Sequence, residues 1–383
     1  MTALSRPPTV VVYGGTGFFG KRVVEDLLVR TMARVVVAGR NKPRTVPVNP
    51  RVTFTVSDLN DRASVQRALA GASVVVNCAG PYQSQGPTLM HEAIANRVHY
   101  VDLAEDRALV REAQNSHEAA SIAGVILLSG LSVVPALAAF LAESIRGDFD
   151  NTLSIRTFIA PGTRGSRGVA TVRSLLGGVG RPLHLLRDER ETILRGWSEP
   201  EWVEFPPPIG WRLEYLAIEN ADRDVLAREF GAQRVEFKAG SEFPWLNRAL
   251  AIVARCRAWT GFPPLDRWAS PLRVCLQWLG WFGTDAGGVL VEVAGTKIGR
   301  TVAQQLAVVA DRQGERIPSL LAAIAVGALL RGELTARGAL PLSSWLGREQ
   351  LFDELRSRGL RLWSKSALDA SWQPMLDKTE TKE

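Results

Sequence analysis

The chain has 383 residues, 46% hydrophobic and 22% charged, a composition that supports a large core and sets aside disorder, collagen-like repeats and disulfide-dense secreted scaffolds. Its three cysteines (Cys78, Cys256, Cys275) form no CxxC and its four histidines (His91, His99, His117, His184) are scattered, so a metal site lacks ligands, a disulfide framework lacks partners, and a reducing cytoplasm is the expected compartment. The net charge of +7 is local: residues 1–50 carry +6 and 244–282 carry +4, while 51–150 carry −4, with no continuous basic face or reading module that would suit nucleic acid.

The first 130 residues alternate short β-branched runs with longer helical stretches. Strands are predicted at Val10 to Tyr13, Arg34 to Ala38, Val52 to Val56, Ser73 to Asn77, Val98 to Val101 and Val125 to Leu128, with helices near 19–30, 61–70, 85–96 and 106–123. Apolar strands separated by helices indicate a parallel sheet covered on both faces, a doubly wound α/β fold whose ligand crevice lies beyond the carboxyl ends of the strands. The amino terminus lacks the apolar core and cleavage site of a secretory signal. The uncharged run Ala119 to Ala142 is long enough to span a membrane, but Gly124, Gly130 and Pro135 divide it into a helix end, a strand and a new helix start.

From about residue 151 the texture changes, and residues 131–314 are expected to form a second, α+β domain for substrate binding or dimerisation. Its strands are predicted at Leu153 to Ile159, near 213–218 and near 233–238, with a long hairpin at 288–294 and 299–310. Residues 316–331 and 347–358 read as helices, and the tail after Ser371 as frayed. Residues 244–282 are an insertion carrying five of the eleven tryptophans and Arg248, Arg255, Arg257, Arg267 and Arg273. Trp245, Ala249, Ile252, Val253, Cys256 and Trp259 share one helical face, for which packing or dimerisation is the simplest use and a substrate lid or peripheral membrane foot the sharper ones.

The strongest motif follows the first strand: Gly14, Gly15, Thr16, Gly17, Phe18, Phe19 and Gly20 open a helix, with a GxGxxG at Gly15, Gly17 and Gly20. Glycines allow the tight turn and close backbone approach to a pyrophosphate, and the helix N-terminus supplies N–H donors. Where an NAD site places a carboxylate for the ribose, this chain has Arg40, Asn41 and Lys42, suited to the 2′-phosphate of NADP(H). Asp58 and Leu59 follow the third strand, and Cys78, Ala79, Gly80, Pro81 and Tyr82 the fourth, all placed to line the cofactor. Cys78 reads as packing rather than as a nucleophile. Tyr82, Tyr100, Asp102 and Glu105 are the candidate catalytic proton donors.

The turn GGTGFFG, the AGR after the second strand, NCAGPY after the fourth and YVDLAE after the fifth resemble the saccharopine dehydrogenase-like oxidoreductases, and similarity extends to Ser166 to Thr171, Phe205 to Gly210 and Val291 to Gly299. That resemblance implies an NADP-binding Rossmann domain over 1–130, a second domain on a mixed sheet, and a C-terminal segment, about 315–370, that packs back on the first domain. The chain is further expected to be a homo-oligomer acting on a small-molecule substrate in the cleft between the domains. One departure is informative. Family members acting on amino-acid adducts have an acidic turn after the sixth strand, whereas this chain reads Gly130 to Pro135 with no acid, so a substrate ammonium loses a counter-charge. The expected chemistry is NADPH-dependent hydride transfer to a C=N, C=O or conjugated C=C bond of a largely apolar substrate; a trans-acting enoyl reductase of lipid or polyketide chains and a non-catalytic NADP-binding sensor or scaffold stay open. None of Tyr13, Tyr82, Tyr100 and Tyr215 has Lys four residues later, which excludes short-chain dehydrogenase chemistry in its usual form. Arg164 and Arg167, in the glycine-rich stretch of the second domain, are candidate substrate residues.

Overall fold

The computed structural model describes residues 7–42, 49–164, 169–187, 190–260, 265–268, 271, 274, 278–368 and 370–375. Arg44, Ser166, Arg167, Arg273 and Cys275 lie outside them. The chain divides into two compact units, Met1–Ser132 with Pro318–Leu346, and Val133–Ile317 with Gly347–Glu383.

The first unit runs β1 (Thr9–Tyr13), α1 (Phe18–Arg30), β2 (Arg34–Gly39), β3 (Val52–Val56), α2 (Arg62–Leu69), β4 (Val74–Asn77), α3 (Thr88–Ala95), β5 (His99–Asp102), α4 (Arg107–Asn115), α5 (His117–Ala123) and β6 (Ile126–Leu128). The strands pair in parallel in the order β3-β2-β1-β4-β5-β6, and a two-residue strand from the returning segment, Gly338–Ala339, adds to the edge beside β6. Val10, Val11 and Val12 of β1 and Val74, Val75 and Val76 of β4 are fully buried, as strands covered on both faces require. Asp61 caps α2 by accepting from the Ala63 N–H at 3.0 Å, and Asp106 caps α4 by accepting from Leu109 N–H at 3.0 Å.

The stretch expected as one helix over 106–123 is two, because Ser116, at φ −84° and ψ 4°, breaks it between α4 and α5; serine has a lower helix propensity than alanine. Gly124, at φ +73°, then stops α5. Among the described residues no helix is long and apolar enough to cross a membrane.

The second unit comprises α6 (Ala138–Arg146), β7 (Asn151–Ala160), α7 (Val169–Gly178), β8 (Pro182–Arg187), β9 (Arg190–Arg195), β10 (Glu201–Phe205), β11 (Gly210–Leu216), α8 (Asp222–Phe230), β12 (Arg234–Ala239), α9 (Pro244–Thr260), β13 (Gly287–Lys297) and β14 (Arg300–Ala310). Further on come helices Ile317–Leu330, most of which belongs to the first unit, and Arg348–Arg356, then strands Leu360–Lys365 and Gln373–Pro374. One mixed sheet follows the order β10-β11-β12-β7-β13-β14 and continues through the last two strands, with the β8–β9 hairpin attached to β12. The β12–β7 pair is parallel, and the β13–β14 hairpin is antiparallel over its whole length. The tail is therefore not frayed immediately after Ser371, since Gln373 pairs with Ser364.

Charges sit inside this sheet, and several are paired. Arg156 on β7 reaches Glu292 at 2.6 Å and Glu201 at 2.9 Å, Lys238 reaches Glu201 at 2.7 Å, and Gln305 donates to Glu292 at 2.8 Å. A buried charge lacking such partners would be strongly destabilising.

Candidate functional site

The glycine turn joins β1 to α1 at the carboxyl end of the parallel sheet. Gly14 adopts φ +70°, and a Cβ there would lie 2.8 Å from the backbone of Ala79, so the turn sits directly against the chain leaving β4. Gly20 is equally constrained, because its Cβ would stand 2.2 Å from the Gly14 carbonyl oxygen. Gly17 differs: its Cβ would meet only the Gly14 oxygen, at 3.0 Å, with no other atom within 4 Å. The space before Gly17 is thus free of protein, and Gly17 is the N-cap of α1 with no side-chain cap, which leaves first-turn N–H groups for an anion. Arg22 fixes this first turn by lying 3.9 Å over the Phe18 ring and donating to the Phe18 carbonyl at 2.7 Å. Phe19 stands edge-on to Phe18, and Thr16 is exposed.

Around this turn the strand ends supply the remaining candidates. Arg40, Asn41 and Lys42 lie exposed on the bend after β2, and among the described residues no carboxylate pairs with Arg40 or Lys42. Asp58 and Leu59 are half-buried after β3. That loop rests on a network the sequence reading missed: the Tyr13 hydroxyl meets Ser57 Oγ at 2.7 Å, Ser57 meets Ser64 at 3.1 Å, and Ser64 Oγ accepts from the Asp58 N–H at 3.0 Å. Serines have no motif of their own; only their place at the strand ends could have marked them.

Beyond β4, Asn77 organises the exit. Its carbonyl accepts from the Tyr82 hydroxyl at 2.9 Å, its Oδ1 accepts from the Ala79 N–H at 3.1 Å, and its amide reaches Gln85 at 3.3 Å and the Tyr100 hydroxyl at 3.5 Å. Gln85 also bonds the Ala79 carbonyl. Gly80 and Pro81 complete the loop. Burial pushes the Cys78 thiol up, helped by the charge of Asp102, which keeps it protonated and inert.

The four candidate proton donors fall at the ends of β4 and β5, and they differ sharply. Asp102 is fully buried and accepts from Gly130 N–H at 2.7 Å, Ser129 Oγ at 2.8 Å and Ala104 N–H at 2.9 Å, so it ties the exit of β5 to that of β6. Burial raises its carboxyl pKa against those donors. Burial also lifts the Tyr82 and Tyr100 hydroxyls well above the ordinary tyrosine value, making each a reluctant acid. Glu105 is half-buried, and desolvation, opposed by a hydrogen bond with Ser132, pushes its carboxyl up to about 7. Glu105 is thus poised to exchange a proton near neutrality. Arg164, exposed, belongs to the second unit, where its N–H donates to the Thr284 carbonyl at 2.9 Å.

The strand order 3-2-1-4-5-6 with a glycine turn at its centre is the dinucleotide-binding arrangement, and comparison with known proteins says which kind. Residues 10–128 match the family model described as the saccharopine dehydrogenase NADP binding domain. Over these residues the chain is similar to that family. The free space before Gly17 and the unpaired cations after β2 fit NADP(H), whose pyrophosphate and 2′-phosphate they would meet. Over 189 residues the chain is 27% identical to a lipid droplet localized protein of Caenorhabditis elegans, covering 44% of each chain. It is 30% identical over 137 residues to a trans-acting enoyl reductase of Mycobacterium leprae, covering 33% of each. The chain thus spans a third to somewhat under half the length of these curated relatives. Among solved structures, a saccharopine dehydrogenase (L-Glu forming) of Saccharomyces cerevisiae superposes with a TM-score of 0.66 at 16% identity, over 94% of this chain and 99% of that one, a likeness of fold.

Proposed function

We propose that the protein is an NADPH-dependent oxidoreductase that reduces a C=N, C=O or conjugated C=C bond in a largely apolar small molecule, with an acyl or polyketide chain as the favoured class. The first unit acts as the cofactor domain and the second as the substrate and dimerisation domain. Bound NADPH supplies the hydride. In this reading Gly14 to Gly20 hold the pyrophosphate, Arg40 and Lys42 the 2′-phosphate, Asp58 and Leu59 the adenine side, and Ala79 to Tyr82 the nicotinamide side. Asp102 is a positioning residue that holds the β6 exit, and Glu105 delivers the proton. Tyr82 and Tyr100 shape the surface through Asn77, and Arg164 contributes to anion binding in the second unit.

The observation that carries the substrate reading is the β6 exit itself. Gly130, Leu131 and Ser132 are buried and uncharged; the Asp102 carboxylate accepts from the Ser129 hydroxyl and the Gly130 N–H, and the Asp102 backbone carbonyl accepts from the Leu131 N–H. The turn itself, Gly130 to Pro135, contributes no carboxylate to an ammonium, and the nearby Glu105 carboxyl is held by Ser132. The enoyl reductase and lipid droplet relatives support an apolar substrate in the same direction. The proposal keeps the protein in the cytoplasm and as a homo-oligomer, which sedimentation velocity tests. The chemical test is reduction of a long-chain enone or imine with NADPH deuterated at nicotinamide C4: deuterium in the product supports the reading, whereas tight NADPH binding without transfer to any substrate of the class would favour a sensor.

A further inference from the structure

Helix α9 presents to solvent the face expected to be packed. Trp245, Ala249, Ile252, Cys256 and Trp259 recur every three or four residues along one stripe, with Val253 beside it, and every one of them is exposed. The opposite side is the buried one: Asn247, Ala251 and Ala254 face inward, and the Asn247 amide donates to the Leu213 and Ser241 carbonyls at 3.0 Å each. The expectation that the apolar face packs within the fold is therefore overturned, because small residues and one asparagine make the packed surface. Trp259, near the end of α9, is 92% exposed, and past the helix Trp278, Trp281 and Phe282 are 72%, 80% and 82% exposed. Large exposed apolar side chains concentrated in one stretch of chain mark an interaction site.

Two more observations say what it meets. The two ends of the segment meet, since Glu242 accepts from the Thr284 N–H at 3.0 Å and from the Thr163 N–H at 2.9 Å, and also bonds the Thr284 hydroxyl, while Leu250 and Leu265 pack against Val172 and Leu176 and leave the tryptophans outward. Its charge is of one sign, five arginines against Asp266 alone, and Arg248 and Arg255 stand exposed along one edge of the α9 stripe. A second copy of the chain using the same patch would set these arginines against each other, because a two-fold contact pairs a surface with itself. An anionic lipid surface answers both features: tryptophan rings seat at the headgroup level and arginines meet the phosphates.

We propose that the second unit docks peripherally onto an anionic phospholipid surface through α9 and the residues after it, with the α9 stripe and Trp278, Trp281 and Phe282 inserted among the headgroups and Arg248 and Arg255 on the lipid phosphates. The inference rests on the second unit's exposed side chains and is independent of the hydride-transfer reading.

The test is co-sedimentation of the full chain with vesicles of phosphatidylcholine alone and vesicles in which phosphatidylserine replaces about a third of it. Binding should be roughly tenfold stronger or more to the anionic vesicles and should weaken as salt rises. Ile252→Ser with Trp259→Ser, and separately Arg248→Glu with Arg255→Glu, should each lower that binding about tenfold or more. Val29→Ser with Ile122→Ser, which removes comparably exposed apolar side chains from the first unit, should leave it unchanged. All the substituted residues are exposed, so native circular dichroism is expected throughout. The proposal is overturned if wild type stays in the supernatant with anionic vesicles, or if the stripe variant pellets like wild type. It is equally overturned if the stripe variant turns a dimer into a monomer while wild type shows no vesicle binding, which would assign the face to a second copy of the chain.

Discussion

Replacing Arg40 by alanine should erase most of the preference for NADPH over NADH while leaving NADH affinity nearly unchanged. Arg40 stands on an exposed bend, and among the described residues no carboxylate competes for its guanidinium, so the full hydrogen-bonding capacity is available to a 2′-phosphate. A hydrogen bond to a charged group contributes about 1.5–3 kcal/mol, and exposure argues for the lower end, so the loss should be roughly tenfold to thirtyfold in Kd. Lys42, two residues on, retains part of the phosphate attraction as a point charge, which is why the loss should stop short of complete. Calorimetric titration of wild type and Arg40→Ala with both cofactors reads the effect directly, and repeating it at higher salt should shrink the NADPH preference further. Equal affinities in wild type, or an unchanged preference in the variant, would refute the assignment of the β2 exit to the 2′-phosphate.

Gly17→Val should abolish binding of both cofactors with native circular dichroism, since the space the side chain would fill is open except for the Gly14 oxygen; retained binding would reduce the motif to a turn. Gly20→Ala should instead destabilise the fold, read as a lowered Tm, because its Cβ would stand 2.2 Å from the Gly14 oxygen. If Glu105 donates the proton, its raised pKa keeps it protonated below about 7, so turnover should fall as pH rises through that value; Glu105→Gln should lower turnover and remove that limb of the profile while NADPH affinity holds.

The first unit was legible because each step had a strong local signal: valine-rich strands and a glycine turn in register with them. Boundaries shifted by up to three residues, and the split at Ser116 is a local backbone break that a continuous helical pattern does not announce. The second unit was harder to read. Strand β11 was anticipated near 213–218, but β8, β9 and β10 are rich in arginine and glutamate whose partners lie elsewhere in the chain, Arg187 with Glu199 and Glu236, Lys365 with Glu204, and they were not read. The site divides the same way. Glycines and cations followed from spacing, whereas the holding roles of Asp102, Asn77 and Ser57 depend on which strand ends become neighbours. In α9 the spacing correctly grouped the stripe, but periodicity says which residues share a face and not which face is covered.

The account stands most directly on NADPH oxidation measured against a panel that sets long-chain enones, imines and ketones beside saccharopine-type amino-acid adducts. Burying an ammonium or carboxylate in a turn with no partner costs several kcal/mol, so the apolar panel should be turned over and the adducts should be poor by a factor of a hundred or so. Efficient turnover of the adducts with the apolar panel silent would contradict the reading of the β6 exit and, with it, the proposed substrate class.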